Sequence, residues 1–206
     1  MRHFDLELVR VTEAAAIAGS RFIGSGDKEG ADKAATEAMR ERLNQLDDFA
    51  AKVVIGEGKK DKSYGLFAGE VVGKLAQRAQ RENVPLYELA VDPIDGTRPT
   101  VTSGPEAMSV IAIAGAHCLF ETSEFYMNKL AYGPHIAHVA GLKLTDPLKR
   151  TIQPVSEVTG KHVNQIVVCI LDRPRHTSMI AELRKIGVRI KLIQDCDISG
   201  AIATCL

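Results

Sequence analysis

Apolar side chains at Leu8, Val11, Ala15, Ala18 and Phe22 recur at the spacing of one helix face, so a helix is predicted over residues 4–23. Gly24 and Gly26 stop it. A second helix is predicted from Ala31 to Leu46, with Ala34, Ala35, Ala38, Met39 and Leu43 on its buried side. Lys52 to Ile55 reads as a buried strand, and residues 56–65 as a polar loop. Residues 74–83 are charged and alanine-rich and suggest a short helix. Glu88 to Val91 reads as a strand leading into Asp92-Pro93-Ile94-Asp95-Gly96-Thr97. Ala107 to Ala114 forms a long apolar strand, with Cys118 to Phe120 as a candidate hairpin partner.

The pattern changes near residue 160. Gln165 to Leu171 is a continuous apolar strand, and Pro174 to Ile186 reads as a helix with proline at its start and Gly187 just past its end. Val188 to Ile193 is a further strand, and Ile198 to Leu206 begins another helix. This β-α-β-α order implies a parallel sheet with right-handed crossovers. The expected organisation is an α+β domain over residues 1–160 and the start of a parallel α/β domain over 161–206. Two parallel strands cannot cover both of their faces, and the last helix carries no C-cap signal. The expectation is therefore a piece of a longer protein, with its second α/β half incomplete.

Composition narrows the class. Apolar residues make up 45% and charged residues 25% of the 206, which excludes disordered, collagen-like and coiled-coil chains. The longest near-apolar run, Val110 to Ala116, is far short of a membrane span, and residues 1–10 lack the apolar block of a secretory signal. Four unclustered cysteines, none in a C-x-x-C pair, argue against a zinc or redox motif and read as small buried apolar residues in a reducing, cytoplasmic setting. Lys+Arg and Asp+Glu both total 26, which argues against nucleic-acid and membrane-surface partners. Residues 1–140 are net −4 and residues 141–206 net +4, a distribution suited to a cation and an anionic substrate or to chance.

The strongest chemical signal is the string from Asp92 to Thr97 after an apolar strand. It holds two carboxylates three residues apart around a proline that restricts the backbone. Hard oxygen donors suit Mg2+ or Mn2+. Gly96 allows close approach of a phosphate, the Gly96 and Thr97 N–H groups stand at a helix start, and the Thr97 hydroxyl can orient a water. A second signal is Gly56-Glu57-Gly58 with Asp61, either a strand-end ligand or a solvated loop. A third is Gly26-Asp27-Lys28 with Asp32, where simple helix capping by Asp27 competes with ligation. Together they supply the four or five carboxylates, roughly, that a two- or three-metal phosphatase needs. His135 and His138 read as loop or core histidines, and His176 as either near a phosphate or on a helix surface. Arg173 and Arg175 open a helix, where positive charge opposes the dipole, so an anion site explains them better than a solvated face.

The strings RVTEAAAIAG, GSGDK with Asp32, VVIGEG, DPIDGT, FYMNKL and DRPRH occur in one order along residues 2–206. In these the chain resembles a class II fructose-1,6-bisphosphatase of the bacterial GlpX type, within the lithium-sensitive metal-dependent phosphatases that also hold inositol monophosphatase. The resemblance covers about the first two thirds of a typical member. It implies a layered α-β-α-β-α sugar phosphatase fold.

It also implies roles. The metal ligands, for Mg2+ or Mn2+, fall on Asp32, Glu57, Asp92 and Asp95. The assisting polar residues fall on Lys28 and Asp61. Phosphate contact and water orientation fall on Asp95, Gly96 and Thr97. Sugar-phosphate contacts fall on Tyr126, Arg173-Pro174-Arg175 and Asp195-Cys196-Asp197. The implied activity is hydrolysis of fructose 1,6-bisphosphate to fructose 6-phosphate and phosphate, in gluconeogenesis and glycerol metabolism. The implied protein is a cytoplasmic homo-oligomer in its full-length form. Sedoheptulose-1,7-bisphosphatase or inositol-phosphate-type activity is the near alternative. A catalytically incomplete sugar-phosphate or metal-binding fragment is the alternative of another class. The chain departs from the family pattern in several places. Asp95 stands where Glu is usual, and Lys59 and Lys60 follow GEG where acidic residues are common. Cys196 replaces a glycine, and extra residues lie between positions 74 and 86. In the family a later Gly-Gly-Ala-Pro-Glu-Gly segment supplies the last carboxylate ligand, and residues 1–206 do not contain that string.

Overall fold

The helix and strand patterns resolve into two units, Met1–Phe125 and Tyr126–Leu206. The computed structural model describes residues 4–57, 64–79, 84, 86–122, 126–137 and 142–205.

In the first unit α1 (Asp5–Ser20) buries Leu8, Val11, Ala15 and Gly19, and α2 (Lys28–Asn44) buries Ala31, Ala35, Thr36, Met39 and Leu43. The two stripes pack on each other and on a four-stranded sheet. Its strands are β1 (Ala51–Ile55), β2 (Val71–Val72), β3 (Tyr87–Asp95) and β4 (Met108–Ala114), in the order β2-β1-β3-β4. One-turn helices α3 (Ala76–Ala79) and α4 (Thr97–Val101) follow β2 and β3. β1 runs parallel to β3, and β4 runs antiparallel to it. The core joins Met39, Leu43, Phe49, Val53, Leu66, Val72, Leu89 and Val91, all buried. Phe4, Phe49 and Tyr87 close one end, Phe4 edge-on to the other two and Phe49 stacked on Tyr87.

The second unit holds α5 (Pro134–Ala137), α6 (Leu148–Thr159), β5 (Val167–Leu171), α7 (Thr177–Ile186), β6 (Arg189–Ile193) and α8 (Asp197–Ile202). β5 and β6 pair in parallel from Val167↔Arg189 to Leu171↔Ile193, as the β-α-β order predicts. Single 3-10 turns precede β5 and α7 at Val163–Gln165 and Pro174–His176, which shortens the predicted strand and helix at their starts. A third follows α8 at Ala203–Cys205. Gly187 ends α7 in the left-handed region at φ 94°, the predicted C-cap.

Within the second unit α6 packs its Leu148, Ile152 and Val155 with Ile166, Leu183 and Val188. Three sequence expectations change. β3 continues through Asp92 to Asp95, which the sequence reads as lying beyond the strand. Cys118–Phe120 is not a strand. The Cys118 and Leu119 N–H groups donate to Glu88 Oε2 at 3.0 and 2.9 Å, so a carboxylate takes the amides that a hairpin would have paired. Of the cysteines, Cys196 is buried and Cys169 half-buried, but Cys118 and Cys205 are exposed, since both lie outside the regular packed elements. His135 lies in the single turn of α5, and His138 falls outside the described residues.

Two local contacts yield tests. Gly56 follows β1, where the Glu57 N–H donates to the Leu66 carbonyl at 2.9 Å. A Cβ at Gly56 would collide with that same carbonyl oxygen and stand 2.6 Å from Val53 Cγ1. Gly56→Ala is expected to lower stability by about 1–3 kcal/mol, the scale of an overpacked core position, read as a drop in denaturation midpoint. Separately, the N–H groups of Leu119, His117 and Cys118 hold the Glu88 carboxyl below the usual glutamate range, Leu119 most strongly. A depressed pKa means that Glu88 steadies this turn at neutral pH and releases it as acid carries the pH through its folded value. The Leu119 amide resonance should therefore titrate with a midpoint below that of an ordinary glutamate, and should stop titrating in Glu88→Gln.

Candidate active site

Parity along β3 decides where its carboxylates go. Residues three apart on a regular strand face opposite ways. In the β3–β4 ladder, however, Asp92 stands opposite Val110 and Asp95 opposite Met108. Three steps on β3 thus match two on β4, which is a bulge holding Pro93 and Ile94 against Ser109. Met108 and Val110 share a face of β4, so Asp92 and Asp95 share one face of β3. Pro93, having no N–H for the ladder, occupies the position in a strand that tolerates it. Asp95 is buried at 8% exposure, whereas Asp92 is half-buried.

β3 then stops abruptly. Gly96 takes φ 102° and ψ 49°, a left-handed conformation open to glycine with little strain, and Thr97 begins α4. The Thr97 hydroxyl donates to Asp32 Oδ1 at 2.7 Å. Asp32 lies in the second turn of α2, whose start is capped by Asp27 accepting the Gly30 N–H at 2.9 Å. Asp27 is therefore the capping residue and Asp32 the one turned to the Asp92–Thr97 segment. Lys28 is the exposed first residue of α2. Because β1 and β3 are parallel, their C-terminal ends lie at the same edge of the sheet. Glu57 follows β1 there, bridged to Phe67, and its Oε1 receives the Thr36 hydroxyl at 3.4 Å. Asp61 lies outside the described residues.

The donors of Asp32, Glu57, Asp92 and Asp95 are all carboxylate oxygens, so by donor type they fit a hard divalent cation. Among the described residues no group of three His, Cys, Asp or Glu side chains gathers closely enough to hold an ion. The carboxylates come instead as couples: Asp92 with Asp95 on a strand face, and Asp32 and Glu57 each met by a threonine hydroxyl.

The second unit brings its predicted residues to the C-terminal ends of β5 and β6. The Asp172 N–H donates to the Ile193 carbonyl at 2.7 Å, joining the two strand ends. Above it the Arg173 guanidinium pairs with Asp195. Pro174 starts the 3-10 turn, and His176 Nδ1 lies 2.8 Å from the Leu171 carbonyl oxygen. Arg175 stacks on Tyr126, its guanidinium carbon 4.5 Å from the ring centroid, and that ring is 87% exposed. Cys196 caps α8 in the left-handed region at φ 66° while 2% exposed, the strained geometry expected where a side chain replaces glycine. Lys129 Nζ stands 3.7 Å from Asp197 Oδ2. Sequence reasoning missed Thr36 and Lys129. Thr36 was within reach of it, being four residues after Asp32 on one helix face.

Comparison with known proteins identifies the family. Over 203 residues, 96% of its length, the chain is 38% identical to the D-fructose 1,6-bisphosphatase class 2/sedoheptulose 1,7-bisphosphatase of Synechococcus elongatus. Over 205 residues it is 39% identical to the fructose-1,6-bisphosphatase 1 class 2 of Escherichia coli (strain K12). The chain spans 58% of the length of these curated relatives. Residues 2–206 match the family described as bacterial fructose-1,6-bisphosphatase, glpX-encoded. A match that runs through both units, and through every string from the first helix to the basic turn after β5, makes the chain a member of that family.

Proposed function

We propose that this chain belongs to an enzyme that hydrolyses fructose 1,6-bisphosphate to fructose 6-phosphate and phosphate with the help of Mg2+ or Mn2+. The observation that carries the reading is the Asp92–Thr97 segment, where a bulge sets two carboxylates on one face and a left-handed glycine turns the chain straight into Thr97. Family membership supports the substrate. Asp32, Glu57, Asp92 and Asp95 are the residues that would hold the cation. When bound, it neutralises phosphate oxygens and makes an attacking water more acidic.

The chain's own groups do the rest. Gly96, without a side chain, leaves room for the substrate phosphate against the backbone. The Thr97 hydroxyl, anchored on Asp32, holds one lone pair in a fixed direction for the water that attacks phosphorus. Positioning and charge stabilisation of this kind do most of the work in phosphoryl transfer. The water oxygen bonds to phosphorus as the bond from phosphorus to the sugar oxygen breaks, and that oxygen leaves with a proton as the sugar hydroxyl. In the second unit, taken by itself, Arg175 lies over the exposed Tyr126 ring and Arg173 pairs with Asp195, and guanidinium groups held in this way suit phosphate oxygens. The exposed thiols of Cys118 and Cys205 suit a reducing, cytoplasmic location. No helix among the described residues is long and apolar enough to cross a membrane.

A second substrate reading, sedoheptulose 1,7-bisphosphate, is favoured by the double name of the Synechococcus relative. A panel of the two bisphosphates and an inositol monophosphate, scored by phosphate release, separates these readings. The expected order puts fructose 1,6-bisphosphate first, and preference for inositol monophosphate would overturn it. Asp92→Asn should cost at least ~10²-fold in rate, the scale of losing a direct stabiliser of the transition state. Excess chelator should abolish turnover in the parent. Undiminished turnover with chelator would end the cation reading.

A further inference from the structure

α2 carries a hydroxyl where its packing alone would favour a methyl group. Thr36 is 1% exposed, between the core residues Ala35 and Met39. Valine has nearly the same shape and would bury more apolar surface at this point. A buried hydroxyl costs about 1–3 kcal/mol unless it is hydrogen-bonded, so its presence calls for a partner. Its hydroxyl donates to Glu57 Oε1 at 3.4 Å, across 21 residues of sequence. That length is long for a hydroxyl–carboxylate bond. The geometry around it is nevertheless well fixed. The hydroxyl comes from the middle of a helix locked by its neighbours, and Glu57 is tied through its own N–H to the Leu66 carbonyl.

We infer that Thr36 is a positioning residue: its hydroxyl sets the direction of the Glu57 carboxylate. The inference rests on the reading of Glu57 as a cation ligand. Asp32 and Thr36, one turn apart, present a carboxylate and a hydroxyl from the same face of α2. Asp32 meets Thr97 after β3, and Thr36 meets Glu57 after β1. One rigid helix thereby registers groups from the ends of two parallel strands. Partners that orient a ligand in this way typically change cation affinity by about 10- to 100-fold when removed.

Calorimetric titration of the whole chain with Mn2+, with no substrate present, tests this without turnover. Thr36→Val is expected to weaken Mn2+ binding by about 10- to 100-fold while keeping or raising the thermal midpoint, and Thr36→Ser to bind like the parent. Glu57→Gln serves as the benchmark. If Glu57→Gln weakens binding and Thr36→Val does not, Thr36 is only a core residue bonded to its own helix, and the inference falls alone. If Glu57→Gln binds Mn2+ like the parent, the ligand reading falls and the inference falls with it. Should Thr36→Val fail to fold, Thr36→Ala, which removes the hydroxyl together with the buried methyl, is expected to weaken Mn2+ binding likewise at a lower thermal midpoint, and parent-like binding refutes the inference.

Discussion

The bulge in β3 is the constraint from which the rest of the candidate site follows. A regular strand would send Asp92 and Asp95 to opposite faces, one toward the helices and one away. One extra residue reverses that parity, and the reversal works because Pro93 has no amide to lose from the ladder. The core registers on the same strand, since Leu89 and Val91, before the bulge, pack against the helices. Packing therefore fixes the half of β3 that precedes the irregularity, and the irregularity aims the half that follows.

α2 is the second part of this arrangement. Its buried face contributes Ala35, Met39 and Leu43 to the core and, one step round, Asp32 and Thr36 to the strand ends. Removing a buried side chain the size of Met39 costs about 2–5 kcal/mol in a well-packed core. The helix is thus held in place by apolar burial that is far larger than any single polar contact it makes. The polar contacts inherit their geometry from that burial. The same holds in the second unit at smaller scale, where the α6 and α7 stripes under β5 and β6 support the Arg173–Asp195 pair at the strand ends.

Elements with unbroken periodicity were legible in the sequence: α1, α2, β1, β4, α7 and β6 fall within a few residues of the pattern that predicts them. α6 was not, because Pro154 interrupts a helix that its Leu148, Ile152 and Val155 stripe otherwise supports. The extension of β3 was hidden for a related reason, since Asp-Pro in isolation reads as a turn. The site residues were legible as strings but not as partners. Thr97 and Asp32 lie 65 residues apart, and only folding reveals that one hydroxyl serves both segments. Thr36 escaped notice because a threonine inside an apolar stripe looks like core.

Cys196 combines two opposed demands on one residue. Its backbone occupies space that glycine enters freely and other residues enter at a cost of roughly 1–2 kcal/mol, yet its side chain is almost wholly enclosed. Reversion to glycine relaxes the first and leaves a hole in place of the second. Branched or longer replacements worsen the first and overfill the second. The position therefore favours residues that are both small and tolerant of a left-handed backbone, and drift among related sequences at this turn should keep within that narrow set.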